Sequence, residues 1–591
     1  MHRFSRAKAL TVLLTFLVVA GMALGAAAYL SPSVLAAHSS SSVTSYHGMA
    51  ITVPSRSGAV SMSGQSARAA SVQQGPRLAP LPFMHANSHA KTTQTRANGP
   101  VPQADVLGMD RDAAGAVLHN FKGLDSVDNF NANGFVLEPP DQGLCVGNLN
   151  LGKGVQKVVW PFINDVAEIT ATDGTRLAGP VNLNNFFGEP ANEGMSDPRC
   201  TFDTASQAFY ILVLAIDPSG NTHTDLVVVT SAFSVNEIQL DTTEANNAAG
   251  GCPCFGDQPK IGIDGDNVYT TDDQFSNTSG AETGDTLFAV SKSDLLHHAA
   301  MVHSAEFENL SLAGIPVLAL QPAVTIGHSS GDHEFLLNSF PFDAQGNSTA
   351  LEATLGLWSL NDPDAVSAGH MPTLTATTIG SPTYAFPVPA STTNGEALAA
   401  MSSDDRMQNV EFVDGQLFGA LASAAAVRGD PVTRDGAAWF EIRPDADGNH
   451  LSGRVTDHST VVAPGAFILD PAIVVTTEGT IGLGFSVTSP TLNPSTAFAV
   501  RQEHSRHFGH VHITSMGSGP DMGFTCQPPF AGTGQECRWG DYSWSTLDPN
   551  GRDMWMASED IVPDAASQSA GAQTFQTNWG TQMWDVSGNE D

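Results

Sequence analysis

The chain has 591 residues, with 60 acidic against 25 basic side chains, so its formal net charge of −35 would repel nucleic acid and anionic membrane surfaces alike. The acidic residues are spread along the chain rather than massed in a tail, which suits the surface of an exported, soluble protein. No G-x-S-x-G elbow, H-E-x-x-H helix, P-loop or dinucleotide fingerprint is present, so hydrolase, zinc-protease and nucleotide chemistry of those kinds have no signature here.

The amino terminus reads as an export signal. Basic residues among positions 1–8 precede an uncharged apolar run over 9–30, and Val34-Leu35-Ala36 follows as a small-residue cleavage site. The run is also long enough to span a bilayer, so residues 1–38 are a signal peptide or a membrane anchor, and the rest of the chain is extracellular or at the cell surface. Residues 39–105, rich in Ser, Ala, Pro, Gly, Gln and Thr, read as a disordered linker. The alternation around Val117 and Phe121 predicts a strand that closes a ring against the last repeat.

Residues 106–588 form one long β-region, with a helical pattern only near 291–301. Its key is the stretch 257–275. Ile261 and Ile263 alternate with polar residues, Asp264-Gly265-Asp266-Asn267 supplies a turn, and a second alternating run ends at Phe275, which predicts a β-hairpin. The same pattern opens at Asp141, Asp197, Gln321, Asp405, Asp470 and Asp541, recurring about every 67 residues. Such a repeat, built only of strands, has the size of a four-stranded propeller blade. The fold expected is all-β, a β-propeller of seven blades, with six as the alternative, acting as a monomer.

Six cysteines in an exported chain are expected to pair. Cys526 and Cys537 close a short loop, Cys145 and Cys200 begin adjacent repeats, and the Cys252-Pro253-Cys254 pair is left over.

The recurring acids should ring one mouth of the axis, with Arg199, Arg406 and Arg538 near equivalent positions. Two uses follow. Asp141, Asp197, Asp257, Asp405, Asp470 and Asp541 can cap backbone N–H groups of the neighbouring blade, or they can join the arginines to bind an anionic sugar. An enzyme of sialidase type would recruit Tyr542, beside Asp541, and Glu411 as an acidic helper. The Asp-box expected of sialidases occurs once, mis-spaced, at 546–555. For metals, Asp264, Asp266, Asp272 and Asp273 are candidate Ca²⁺ ligands, and His510 with His512 a two-histidine site, in a segment that also holds His504 and His507. Trp539, Trp544, Trp555, Trp579 and Trp584 either stack on sugar rings or fill blade cores.

Pro139-Pro140-Asp141, the run 179–187, Ser196-Asp197-Pro198-Arg199-Cys200, Asp257-Gln258-Pro259-Lys260-Ile261-Gly262 and Arg538-Trp539-Gly540-Asp541-Tyr542-Ser543 resemble a family of exported microbial β-propeller proteins with a sialidase-like fold. The resemblance covers about residues 121–584, and departs from the family at Gln142-Gly143-Leu144-Cys145 and in the histidine-rich 504–512 insertion. It implies fold and export but no activity. The reading at this point is a binding or scaffold module for a surface glycan or protein partner, with a glycoside hydrolase or lyase at the channel mouth as the alternative.

Overall fold

Each acidic hairpin motif opens a four-stranded antiparallel meander. The computed structural model describes residues 42–57, 101–110, 117–244, 251–327, 332–343, 351–395, 397–400, 404–448, 450–527, 536–570 and 573–588. The meanders, or blades, occupy residues 143–182, 194–241, 254–312, 321–384, 409–462 and 467–515, and blade 7 joins 544–587 to 117–125. The stretch 257–275 lies in the hairpin of Cys254–Ile263 and Asn267–Ser276, whose ten-residue strands are buried along nearly their whole length.

The first strands of consecutive blades touch in turn, and that of blade 7 returns to that of blade 1. This cyclic order makes the molecule a β-propeller. The blades meet so closely at the axis that side chains are excluded at two glycines. A Cβ on Gly262 would stand 2.6 Å from the Ala323 carbonyl oxygen of blade 4, and one on Gly143 would stand 2.7 Å from that of Pro198 in blade 2. On the blade 4 side the inner strands even pair directly, in parallel, through Ile263↔Val324 and Ala323↔Val410 to Ile326↔Val413.

Val117–Asp125 supplies the outer strand of blade 7, running from Gly580↔Asp125 to Val586↔Val117. Part of the stretch read as linker is also structured. Thr44–Tyr46 pairs with the outer strand of blade 4, and Met49–Arg56 runs along Met301–Leu312 of blade 3 until Arg56 faces Glu237 of blade 2. Asp105–Val106 and Met109–Asp110 add in parallel to blades 5 and 6. The physical reason is the blade edge. An outermost strand presents a row of unpaired backbone groups, and the short β-branched run Ile51-Thr52-Val53 covers one, with Val53 sinking into the core. An average over a polar stretch hides so short a run.

Among the described residues helices are few and short. Lys292–Leu296 falls in the predicted region, capped by Ser291, whereas Ser126–Asn133, capped by the Asp125 carboxylate at Val127 and Asp128, has too little apolar periodicity to be read from sequence. Disulfides join Cys145 to Cys200 across blades 1 and 2, Cys526 to Cys537, and Cys252 to Cys254. The export signal or anchor at 1–38 lies outside the described residues, among which no helix is long and apolar enough to cross a membrane.

Candidate axial site

The acidic motif marks a bulge. In blade 2 residues 197–198 lie between the paired Ser196 and Arg199, in blade 3 residues 258–259 between Asp257 and Lys260, and in blade 6 residues 470–471 between Leu469 and Ala472. The first bulge residue is left-handed each time: Asp197 has φ 52°, Gln258 47° and Asp470 49°, with Asp141 at 45° in blade 1. Asp tolerates this region better than most residues, and the proline after it has no N–H to lose from the ladder. Blade 3 departs from the motif by one residue. Its structural counterpart of Asp197 is Gln258, not Asp257.

Asp141, Asp197 and Gln258 turn into a shared buried cluster, while Asp470 is buried within blade 6. Asp141 Oδ1 accepts the Asp541 backbone N–H at 2.8 Å, and Asp141 Oδ2 accepts Asn164 Nδ2–H at 2.7 Å. Asn164 Oδ1 accepts the Asp197 N–H at 2.8 Å, tying blade 1 to blade 2. Asp541 Oδ2 receives Arg538 Nη2 at 3.1 Å and Gln258 Nε2 at 2.8 Å. Gln258 Oε1 in turn accepts from Arg406, whose guanidinium makes a two-pronged pair with Asp404 at 2.8 and 2.7 Å. Asp404, not Asp405, is therefore the partner of Arg406. Asp405 is fully buried, and among the described residues neither of its side-chain oxygens has a hydrogen-bond partner. Lys260 Nζ holds Asp273 at 2.7 Å, and Arg199 lies 3.2 Å from the centre of the Tyr542 ring while donating to the Pro259 carbonyl at 3.0 Å.

Burial dominates the electrostatics. It pushes Asp257 up to about 8, with Asp197, Asp273 and Asp541 adding repulsion, and Asp197 up to about 6, where Arg199 pulls back. Burial also raises Asp141 and Tyr542 well above their ordinary ranges. Asp273 is the exception: burial raises it, but Lys260 and Arg406 outweigh that and hold it low. The backbone-capping expectation fits Asp141 but not Asp197, since among the described residues neither Asp197 oxygen has a hydrogen-bond partner.

Arg199, Arg406 and Arg538 are all buried and internally engaged, so the structure does not present them as an open anion clamp. Tyr542 is buried too, its hydroxyl donating to the Pro198 carbonyl at 3.1 Å. The carboxylates of Asp141, Asp197 and Asp541 converge within 4.8 Å, with Arg538 paired to Asp541 beside them.

Farther along the same inner strands lies a cavity of about 280 Å³, lined by residues of blades 2 to 7 that include Thr201, Gln321, Thr325, Asn409, Glu411, Ser545 and Thr546. Asn409 bridges to the Ile473 backbone with bonds of 2.6 and 2.9 Å, and Glu411 Oε2 accepts the Val475 N–H at 2.6 Å. Burial raises the Glu411 carboxyl well above its usual range. The two other carboxylates at the lining, Asp203 and Asp548, are held by Lys292 at 2.9 Å and Lys157 at 2.8 Å.

The four aspartates read from sequence as Ca²⁺ ligands do not gather. Asp264 caps its own turn, accepting from Asp266 and Asn267 N–H at 2.8 Å and from the Tyr269 hydroxyl. Asp272 accepts from Thr224, and Asp273 faces the ring. Asp266 stands at the turn with Asp264, whereas Asp272 and Asp273 lie midway along the strand that follows. His510 and His512 have ring centres 6.4 Å apart, and His512 stacks on Phe498. The five tryptophans are buried, four of them in blade 7 and Trp539 in the short strand Glu536–Trp539 that precedes it.

No family model matches the chain, and no curated protein matches it in sequence. Among solved structures it is similar to an alpha-L-arabinofuranosidase from Fusarium graminearum (9% identity, 80% of this chain and 98% of that one, TM-score 0.31). It is also similar to the phage phi92 endosialidase (8% identity, 80% and 69%, TM-score 0.33) and to Trypanosoma rangeli sialidase (9% identity, 71% and 57%, TM-score 0.30). At such values the likeness says nothing of this chain's chemistry.

Proposed function

We propose that this is an exported acidic β-propeller that binds a neutral glycan in its axial cavity, with the ring of acids acting as the lock between blades. One observation carries the reading. The carboxylates and arginines of the ring are buried, with each arginine engaged inside the protein, whereas the open cavity offers hydroxyl and amide groups around one carboxyl without a lysine partner, Glu411, already anchored to Val475. Sugar recognition calls for such convergent polar groups in a concave site. A glycosidase of the usual kind needs two carboxyl groups about 5–10 Å apart across an open pocket, and here the other two lining carboxylates are each neutralised by a lysine. The chain's net charge of −35 also disfavours anionic glycans. Export is supported by the basic and apolar amino terminus and by three disulfides.

The test is calorimetric titration with neutral oligosaccharides, alongside turnover assays on aryl glycosides. Thr546→Phe should fill the cavity and abolish binding at unchanged melting temperature. Turnover that Glu411→Gln removes would replace the binding reading with the hydrolase one.

A further inference from the structure

A second polar cluster sits on the rim of blade 2, assembled from three distant segments. Strand Thr222–Thr230 carries His223 and Asp225 two residues apart, and hence on one face. The neighbouring strand Val235–Asp241 brings Gln239 opposite Asp225, and Glu237 opposite Val227, onto that same face. The loop after the helix Leu183–Phe187 delivers Glu189 and Glu193 from the blade 1 side. Arg56, at the end of the amino-terminal arm, completes the group.

The donor atoms converge. Those of Glu189, Glu193 and His223 lie within 4.8 Å of one another, as do those of Glu189, Asp225 and Glu237. His223 Nε2 is 3.4 Å from Asp225 Oδ1 and 3.9 Å from Glu189 Oε2. In a tetrahedral site with bonds of about 2.0–2.1 Å the ligand atoms stand about 3.3–3.4 Å apart, so a small inward shift would close this set on an ion.

The cluster is also short of positive charge. Four carboxylates face one guanidinium, and one Arg56 nitrogen serves two of them, donating to Glu189 Oε1 at 2.6 Å and Glu237 Oε1 at 2.7 Å. Asp225 lies deepest. It is fully buried, and among the described residues neither of its oxygens has a hydrogen-bond partner. A buried carboxylate without donors needs a proton or a cation. Gln239 Nε2, 3.0 Å from His223 Nε2, donates there, which leaves that nitrogen in the deprotonated form that ligates metals.

We propose that Glu189, Glu193, His223 and Asp225 form a divalent transition-metal site on the rim of blade 2, with Glu237 and Arg56 bordering it. One imidazole nitrogen among carboxylate oxygens suits Zn²⁺ better than Ca²⁺, which takes oxygen ligands in greater number. All six cysteines are in disulfides, so no thiolate competes for the ion. A bound ion would fasten the blade 1–2 connection to the outer strands of blade 2. It would also compete with Arg56 for Glu189.

The test is calorimetric titration of the chelator-treated full chain with ZnCl₂. One site is expected, weakened roughly tenfold or more in His223→Ala and in Asp225→Asn, and unchanged in His504→Ala, whose side chain is 91% exposed on blade 6. Arg56→Ala should tighten binding by removing the competing guanidinium. Absence of binding, wild-type affinity in both ligand variants, or weaker binding in Arg56→Ala would overturn the site. X-ray absorption of the zinc-loaded wild type decides the matter even if a variant fails to fold. One imidazole with oxygen donors supports the site, and two or more histidines, or sulfur, refute it.

Discussion

Two arginines do nearly the same thing in different surroundings. Arg406, in the axial ring, pairs with Asp404, approaches Asp273 at 3.7 Å and is 7% exposed. Arg56, on the blade 2 rim, bridges Glu189 and Glu237 while 47% of its side chain meets solvent. In the ring, water cannot replace a lost partner, and each arginine is held by a residue or a backbone carbonyl, although Asp197 has no hydrogen-bond partner among the described residues. On the rim, water screens the outer carboxylates and the arrangement stays incomplete, above all at Asp225. What separates the two clusters is the solvent access of the arginine, since the deepest acids, Asp197 and Asp225, are equally buried.

The sharpest way to break the contrast is Arg406→Ala. It strands Asp404, which is fully buried, and withdraws one of the two cations that hold Asp273 low. Breaking a buried pair from one side costs about 3–5 kcal/mol, and chemical denaturation should show a loss of that order. A loss below about 1 kcal/mol would mean that water enters the ring.

Gly262→Val tests the same tightness without charge. The added side chain meets the Ala323 carbonyl of the next blade, a backbone group that cannot swing aside. Overpacking of this kind costs about 1–3 kcal/mol, read as a lowered denaturation midpoint at unchanged slope. Full stability would show that blades 3 and 4 can part.

These two variants mark what the sequence could and could not show. The hairpin at 257–275 was legible because period-two burial and an Asp-Gly turn leave a local trace. The bulge was not, since two residues opposing one leave the apolar alternation on either side intact, and Asp257 was aligned where Gln258 belongs. Asp404 and Asp405 are chemically alike, and only the backbone path selects the first for Arg406. The arm over Met49–Arg56 vanished into the composition of its polar surroundings. The rim cluster had no linear signal at all beyond His223 and Asp225, because its members are drawn from residues 56, 189–193 and 223–237.

The pH dependence of the ring follows from the raised acids. Asp257, near 8 when folded against 3.8 for a free side chain, holds its proton more tightly in the native state. Its contribution is thus complete below about pH 4 and is lost as pH rises towards 8. Asp197, near 6, acts in the same direction over a narrower window. Asp273, held low, works oppositely and loses its contribution only in acid, below the usual carboxylate range. One such group changes stability by at most about 1.4 kcal/mol per pH unit. Asp257→Asn, which keeps an acceptor for the Gln258 N–H, should flatten the decline between pH 5 and 8 and melt no lower than wild type at pH 8. A lower melting temperature there would show that the charged form is the stabilising one.

The smallest effect belongs to the rim, and it completes the comparison. Arg56→Ala removes two ion pairs of 2.6 and 2.7 Å, shorter on paper than several in the ring. Distance alone would make this variant as damaging as Arg406→Ala. The half-exposed guanidinium argues otherwise, because solvent and salt already screen it and its ordering costs side-chain entropy; exposed pairs are worth about 0.2–1 kcal/mol. The arm also keeps its other anchors, the Ser55 hydroxyl bonded to the Ala299 carbonyl at 2.5 Å and the buried Val53. The loss should therefore stay under about 1 kcal/mol and shrink further in added salt, whereas that of Arg406→Ala should be nearly indifferent to salt. Equal losses in the two variants, or equal salt sensitivity, would show that burial is not what separates the ring from the rim.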